Sequence, residues 1–239
     1  SIAGNSSYTP TDNITLSLGA TGATRMIITN NADCSTGGTE ENYAASKAWT
    51  LGQTNATATV YVRYRDEAGN WTACINDTIL HDSIFPTVSI TNTGWANASD
   101  YNNYAITGAC NESGRSVIIS GSASGSATCD GSNYTAYVNY TAITDGAGAI
   151  TINADMSDVA GNNATQASTT IGKDIVAPSI ALTNSGWING TNDNAYNVTG
   201  TCTDATSGVN TRTVSIGGTQ STTDTCSGGT YSLSIDYSG

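Results

Sequence analysis

The sequence predicts an all-β fold of small β-sandwich domains in tandem, and the first observation behind this prediction is an internal repeat. Asp66 recurs as Asp158 and Trp95 recurs as Trp187, and each pair is separated by 92 residues. Other anchors of unrelated residue type keep the same step. A fixed period of this kind is typical of one module copied along a chain.

Short alternating segments are the second observation. Short segments with strand character, bounded by Gly, Asn, Asp or Ser, occur in residues 87–91, 104–110, 116–120, 134–140, 149–154 and 164–171, and apolar residues alternate with polar ones in 87–91 and 149–154. About seven short strands in one repeat are typical of an immunoglobulin-like β-sandwich, so we predict tandem immunoglobulin-like domains in an elongated array. We expect almost no helix, because no stretch has a sustained helical period.

The repeat divides the chain into three units. Unit 1 covers residues 1–82 and lacks the first strand, unit 2 covers residues 83–174 and is complete, and unit 3 covers residues 175–239 and lacks the last strands. An unfinished sandwich has an open edge. Two interpretations therefore stay open: the chain is a window of a longer array, or neighbouring copies complete it by strand donation.

The excess of negative charge argues against nucleic-acid binding. Nineteen acidic residues stand against 7 basic ones, for a net charge of −12. Such a chain repels a phosphate backbone, so we expect no nucleic-acid partner. No apolar run is long enough for a membrane span in this segment.

The cysteines are spread evenly and predict one disulfide bond per unit, which in turn predicts an oxidising, extracellular or cell-surface location. Spacing favours Cys110–Cys129 and Cys202–Cys226, which leaves Cys34–Cys74.

No enzyme chemistry can be assigned to the sequence. His81 is the one histidine of the chain, and there is no Gly-x-Ser-x-Gly sequence. Without a nucleophile–base pair, catalytic roles have no candidates. We expect a non-catalytic protein with no catalytic residues.

The segment Asp158-x-Ala-Gly-Asn162, continuing through Lys173-Asp174 to Pro178, resembles the tandem bacterial immunoglobulin-like (Big) repeats of large surface adhesins and extracellular filament proteins. The resemblance covers the whole chain. In some relatives junction aspartates bind calcium, which makes calcium the candidate cofactor here. The alternative is that each aspartate closes its own turn. The matching positions are Asp66, Asp82, Asp158 and Asp174.

Two further kinds of surface site are candidates. Trp95 and Trp187 follow Gly in matching turns, where an indole can stack on a glycan or pack at a domain junction. Asn-x-Ser/Thr sequences are candidate glycosylation sites. These occur at Asn5, Asn13, Asn55, Asn70, Asn76, Asn97, Asn111, Asn133, Asn139, Asn163, Asn189 and Asn197.

The function expected from these observations is structural. Repeated sandwiches with short Asp…Pro junctions predict the stalk or shaft of an extracellular bacterial adhesin or surface filament. The partners would be neighbouring copies or further repeats of the same chain. Two alternatives stay open: a polymerising filament or surface-layer subunit completed by strand donation, and a glycan-binding module that recognises host or surface glycans.

Overall fold

A computed structural model describes residues 1–184, 186–209, 211–218 and 220–238 of the protein. In these ranges the chain forms 19 β-strands and one short 3₁₀ turn, Ala3–Asn5. The predicted all-β fold is confirmed. No helix within the described ranges has the length and apolar character needed to cross a membrane. Below, residues 1–82, 83–174 and 175–238 are called the first, second and third regions.

The strands of the first region form two sheets around one core. They are β1 (Tyr8–Thr9), β2 (Asn13–Ser17), β3 (Ala23–Thr29), β4 (Glu40–Asn42), β5 (Ser46–Thr50), β6 (Ala56–Asp66) and β7 (Ile75–His81). One sheet has the order β1-β7-β6-β3-β4 and the other is β2-β5. β1 runs parallel to β7. At the start of the chain, Ile2 forms a bridge with Leu16 of β2, so residues 1–2 also extend that second sheet.

The second region repeats this strand order. Its strands are β8 (Trp95–Asn97), β9 (Tyr104–Ala109), β10 (Ser116–Gly121), β11 (Gly125–Thr128), β12 (Asn133–Val138), β13 (Gly146–Met156) and β14 (Ala167–Asp174). The sheets are β11-β10-β13-β14-β8 and β12-β9. Ser89 and Thr91 donate backbone hydrogen bonds to β9, both of 2.9 Å, and β8 runs parallel to β14. This order is that of an immunoglobulin-like sandwich.

The third region has the early strands of the same pattern. They are β15 (Ser179–Leu182), β16 (Tyr196–Thr203), β17 (Thr213–Ile216), β18 (Thr222–Thr225) and β19 (Thr230–Ile235), in sheets β15-β16-β19 and β17-β18. Ile180 and Leu182 of β15 are 61% and 67% exposed. Its buried cluster is correspondingly small: Cys202, Val214, Cys226, Tyr231 and Leu233.

Each region has a core of its own, because alternation places apolar side chains on one face of each strand. In β12, Tyr134, Ala136 and Val138 are buried while the residues between them are exposed. β19 has the same alternation. The members of each buried cluster all come from one region, so the described part of the chain has three cores rather than one.

Gly108 and Gly200 allow a close approach that recurs in the second and third regions. A Cβ at Gly108 would lie 1.8 Å from the carbonyl oxygen of Ser89, and a Cβ at Gly200 would lie 2.1 Å from that of Ala181. Beside Gly108, the Tyr134 hydroxyl donates a hydrogen bond of 2.8 Å to the same Ser89 oxygen. The segment at residues 89–91 can therefore lie directly on β9.

The predicted disulfide bonding is confirmed. The two later bonds occupy equivalent places, just after β9 and β11 in the second region and around β16 and β18 in the third. The first bond instead ties the loop after β3 to the segment before β7. The bonded pairs are Cys34–Cys74, Cys110–Cys129 and Cys202–Cys226.

Candidate functional site

The repeated Asp-x-Ala-Gly-Asn segment forms a self-contained turn in both places. In the second region, Asp158 Oδ1 accepts hydrogen bonds from the backbone N–H groups of Gly161 (2.7 Å) and Asn162 (2.8 Å). The Asn162 amide donates to Asp158 Oδ2 at 2.7 Å. Gly161 has φ of +98°, a conformation that favours glycine. The residues of the motif are therefore those that the turn geometry requires.

The first copy of the turn has the same bonds from its asparagine, whereas the Gly69 N–H donates to the backbone oxygen of Asp66 at 3.2 Å. Asn70 donates its backbone N–H to Asp66 Oδ1 at 2.8 Å and its side-chain amide to Asp66 Oδ2 at 2.9 Å. Gly69 has φ of +93°. Hydrogen bonds from the Asn70 side chain and backbone hold the pKa of Asp66 below its ordinary value.

The second turn has additional contacts because it lies on the junction between the first and second regions. The Asn162 amide also donates a hydrogen bond of 2.8 Å to the backbone oxygen of Asp82. Arg115 donates from Nε and Nη2 to the carbonyl oxygens of Ser157 (2.9 Å) and Asp158 (2.8 Å). Asp158 is buried; this burial raises its pKa, but the bonds from Asn162 and Gly161 outweigh it, and the pKa lies below its ordinary value.

The chain on the first-region side of this junction is also held. The backbone N–H of Asn55 donates to Nδ1 of buried His81 at 3.0 Å. The Asn55 side-chain oxygen accepts from the Ser83 backbone N–H at 2.7 Å. Asp82 Oδ1 accepts from the Ile84 N–H at 3.0 Å. Residues 81–84 are therefore fixed from both regions.

The junction between the second and third regions has a corresponding arrangement. Asp174 accepts backbone hydrogen bonds from Val176 and Ser207, each of 3.0 Å. Bonds from Ser207 and Val176 lower the pKa of Asp174. Ser207 also donates to Asp204 Oδ1 at 3.0 Å, so this loop of the third region is held in place against the junction.

Lys173 is a buried cation directly before that junction. Its ammonium donates a hydrogen bond to the Ile143 carbonyl oxygen, lies 3.4 Å from Asp145 Oδ1 and lies 5.0 Å from the Tyr101 ring centroid. Asp145 in turn accepts from the Ile175 N–H at 3.2 Å. A buried charge needs such partners, because water is not available to solvate it.

The four aspartates predicted to bind calcium all accept backbone N–H groups. Within the described ranges, no three His, Cys, Asp or Glu side chains form a group that could hold a metal ion. Calcium binding stays a prediction. The test is to measure the melting temperature with and without a chelator. If calcium is bound, the chelator lowers the melting temperature.

The two repeated tryptophans have different surroundings. Trp95 lies in β8 against Gly172 of β14, where an added Cβ would be 2.3 Å from the Trp95 ring. Trp187 is 90% exposed. Stacking on a glycan and packing at a junction both stay predictions for this pair.

The twelve candidate glycosylation asparagines all lie on the surface. Each of these residues is exposed to solvent. Some side chains take part in local bonds, as when Asn139 accepts from the Thr141 N–H at 2.8 Å. Glycosylation itself stays a prediction for these positions.

Sequence reasoning missed Asn55 as a junction residue and Arg115 as a residue that supports the second turn. Arg115 lies 43 residues from the turn that it supports. Asn55 was identified only as a glycosylation candidate, although its φ of +52° is unusual for a residue other than glycine. No local sequence pattern connects either residue with the junction, so only the folded chain brings these contacts together.

The chain was compared with known proteins. No model of a known family and no curated protein matches it. Similar solved structures include fibronectin(III)-like modules of Clostridium thermocellum CbhA, with 15% identity, 73% of this chain and 94% of that chain covered, and a TM-score of 0.47. A 1.5-MDa bacterial ice-binding adhesin has 16% identity, coverage of 97% and 83%, and a TM-score of 0.36. A tetra-tandem repeat from the extending region of a large adhesion protein has 20% identity, coverage of 96% and 63%, and a TM-score of 0.30.

Proposed function

We propose that this chain is a non-catalytic stalk or shaft segment of an extracellular bacterial adhesin or surface filament. Its units would be immunoglobulin-like domains at residues 1–82, 83–174 and 175–239. The observation that carries the proposal is the hydrogen bond from the Asn162 amide to the Asp82 backbone oxygen, because it joins the second region to the end of the first.

The mechanism is spatial. A short junction bonded to the domains on both sides restricts their relative rotation, whereas an unbonded linker leaves domain motion as the default. Asn55 holds Ser83 from one side and Asn162 holds Asp82 from the other. Asp174 and Ser207 provide a corresponding contact at the next junction. Such an array holds its two ends at a distance from each other, so that a group attached at one end is kept away from the other end.

The disulfide bonds support the extracellular part of the proposal. Three bonds in a chain of 239 residues are typical of an oxidising compartment. Each bond lies within one region and limits how much of that region can extend if its sheets separate.

The test is the distribution of distances between spin labels placed on the first and second regions of the full chain. Exposed Thr15 and Thr135 suit noncanonical labels that avoid the native cysteines. We expect a narrow distribution, which Asn162→Ala broadens and the matched variant Asn70→Ala leaves unchanged. A broad distribution in the unmodified chain, or a compact particle by small-angle scattering, contradicts the proposal.

A polymerising subunit is a second candidate, supported by the exposed apolar residues of the third region. Ile180, Leu182 and Trp187 are exposed by 61%, 67% and 90%. Exposed apolar surface next to a free strand edge is suited to strand addition by another copy. Filaments visible by electron microscopy would support this candidate, and a monomer at all concentrations in sedimentation would exclude it.

A glycan-binding module is a third candidate, supported by the exposure of Trp187. A flat indole on the surface can stack against a sugar ring, whereas Trp95 is packed on Gly172. Loss of glycan-array binding in Trp187→Ala would support this role. Unchanged binding, or no binding by the intact chain, would remove it.

A further inference from the structure

The outer face of β3 and β6 in the first region carries a group of basic residues. Arg25 of β3 pairs with Arg65 of β6, so their side chains are neighbours on one face of the sheet. Arg63 is two residues earlier in β6 and shares that face. Trp71 forms an antiparallel bridge with Arg65 along the edge of β6 that does not pair with β3. Arg25, Arg63, Arg65 and Trp71 together are called the arginine face.

The arginine face has more positive than negative charge. Arg65 Nη2 lies 2.8 Å from Glu40 Oε1, and Arg25 Nε lies 3.9 Å from the same oxygen. Arg63 forms no ion pair within the part of the chain that the structure describes. The Glu40 carboxylate is therefore paired with two of the three guanidinium groups, in a chain whose net charge is −12.

Trp71 gives this face an aromatic surface. The guanidinium carbons of Arg63 and Arg65 lie 4.5 Å and 5.6 Å from the Trp71 ring centroid. These contacts hold the ring in place by cation–π attraction. The Nε atoms of both arginines are buried without a hydrogen-bond partner, and such atoms in a native structure call for an explanation.

A shallow pocket lies beside the ring. Its volume is about 250 Å³, and its lining includes Arg65, Trp71, Thr72 and the carboxylate of Asp66, but not Arg63. The pocket therefore combines an aromatic wall, a guanidinium group and hydroxyl groups with one carboxylate, which accepts hydrogen bonds from Asn70. Its volume is slightly below the range of roughly 300–1,000 Å³ for small-molecule sites, which suits a single sugar ring at an open surface.

The repeat supplies an internal control, because the second region has the same fold without these residues. The positions 92 residues after Arg63, Arg65 and Trp71 hold Asp155, Ser157 and Asn163. The residue of β10 that matches Arg25 is Ser116. The sandwich folds with acidic or neutral residues there, so the arginine face is not a requirement of the architecture.

We propose that the arginine face binds an anionic glycan, with a sugar ring against Trp71 and its carboxylate or sulfate group on Arg63 and Arg65. Guanidinium groups match planar oxyanions through paired N–H donors. This site is separate from the junctions, so it stands or falls independently of the spacer function.

The test is calorimetric titration of the full chain with uronic-acid oligosaccharides, sulfated dextran and neutral dextran at low ionic strength. We expect at least one of the two anionic glycans to bind and neutral dextran not to bind. Arg63→Gln should weaken binding by about tenfold or more, since it removes a charge-assisted contact. Trp71→Ala should also weaken binding, and circular dichroism checks that both variants remain folded.

Matched controls separate a site from general charge. Arg212→Gln removes one positive charge from the third region, and Trp187→Ala removes an exposed indole elsewhere. Both should bind as the unmodified chain does. Equal weakening in Arg63→Gln and Arg212→Gln overturns the proposal. Equally tight binding of polyglutamate or single-stranded DNA, or no binding of either anionic glycan, overturns it as well.

Discussion

The turn at residues 66–70 and the turn at residues 158–162 have the same key residues and the same hydrogen bonds from asparagine to aspartate, but only the second one is buried. Asp158 and Asn162 are 2% and 6% exposed, whereas Asn70 lies on the surface. The difference is the Asp82 oxygen, which accepts the second hydrogen of the Asn162 amide. The local sequence therefore determines the conformation of the turn. Contact with another segment, here residue Asp82, determines whether the turn also joins two regions.

Other matched positions differ in the same way. Leu16 is a buried side chain in β2, whereas its counterpart Gly108 leaves room for the Ser89 backbone. His81 and its counterpart Lys173 are both buried, but His81 accepts a backbone N–H while Lys173 lies beside Asp145. The same fold therefore accepts side chains of very different size and charge at matched positions.

The largest expected effect tests the size difference at the matched positions. Leu16→Ala should destabilise the first region by about 2–5 kcal/mol, because it removes a buried side chain and leaves a cavity. Gly108→Ala should destabilise the second region by about 1–3 kcal/mol, because the added methyl group meets the Ser89 oxygen. Urea unfolding followed by hydrogen exchange assigns each loss to its region. A neutral Gly108→Ala would show that β9 can move away at little cost.

The next effect tests the buried cation. Asp145→Asn should cost about 2 kcal/mol, since Lys173 keeps its charge and loses the nearby carboxylate. Lys173→Met should cost less, because it removes the charge as well as the contact. The measurement is the free energy of unfolding of the two variants. If Lys173→Met is the more damaging change, the ammonium contributes more than the ion pair accounts for.

A smaller effect tests the two turns. Asn162→Ala should lower the free energy of unfolding by about 1–2 kcal/mol, because buried hydrogen bonds to Asp158 and Asp82 are lost together. Asn70→Ala should cost about 0.5 kcal/mol or less at its exposed position. Denaturant titration of the two variants gives the comparison. Equal losses would mean that the contact with Asp82 adds no stability.

The smallest effect is the pH dependence of the second turn. The pKa of Asp158 is lower in the folded chain than its ordinary value of about 3.9. Its contribution is therefore fully present above about pH 4 and is lost as the pH falls through the folded-state pKa. Unfolding between about pH 2 and 6 should show a smaller acid-induced loss in Asp158→Asn than in the unmodified chain. An identical profile for the two proteins would contradict this role.

Much of the fold follows from the sequence because it depends on periods that sequence displays. Alternation in residues such as Tyr134, Ala136 and Val138 predicts which face of a strand is buried, and the recurrence of Asp66 as Asp158 predicts a second copy of the sandwich. The disulfide pairs were also accessible, because one pair falls within each unit.

The contacts between regions could not be predicted in this way. Asn162 and Asp82 are 80 residues apart, and no local signal links them. Trp95 and Trp187 share their flanking pattern, yet Trp95 is covered by Gly172 while no described strand runs beside Trp187. The arginine face depends on strand register, which places Arg25 beside Arg65 across a distance of 40 residues.

The parallel pairing of β8 with β14 has a mechanical consequence. Gly172, Lys173 and Asp174 lie beside Trp95, Ala96 and Asn97. The entering chain first bonds to β9 through Ser89 and Thr91 and then forms β8, and it leaves the region at the end of β14. Tension along the chain therefore slides the two strands past each other and loads their hydrogen bonds together, instead of opening them one at a time. Such shear makes the sandwich resist extension along the line from the entry of the chain to its exit.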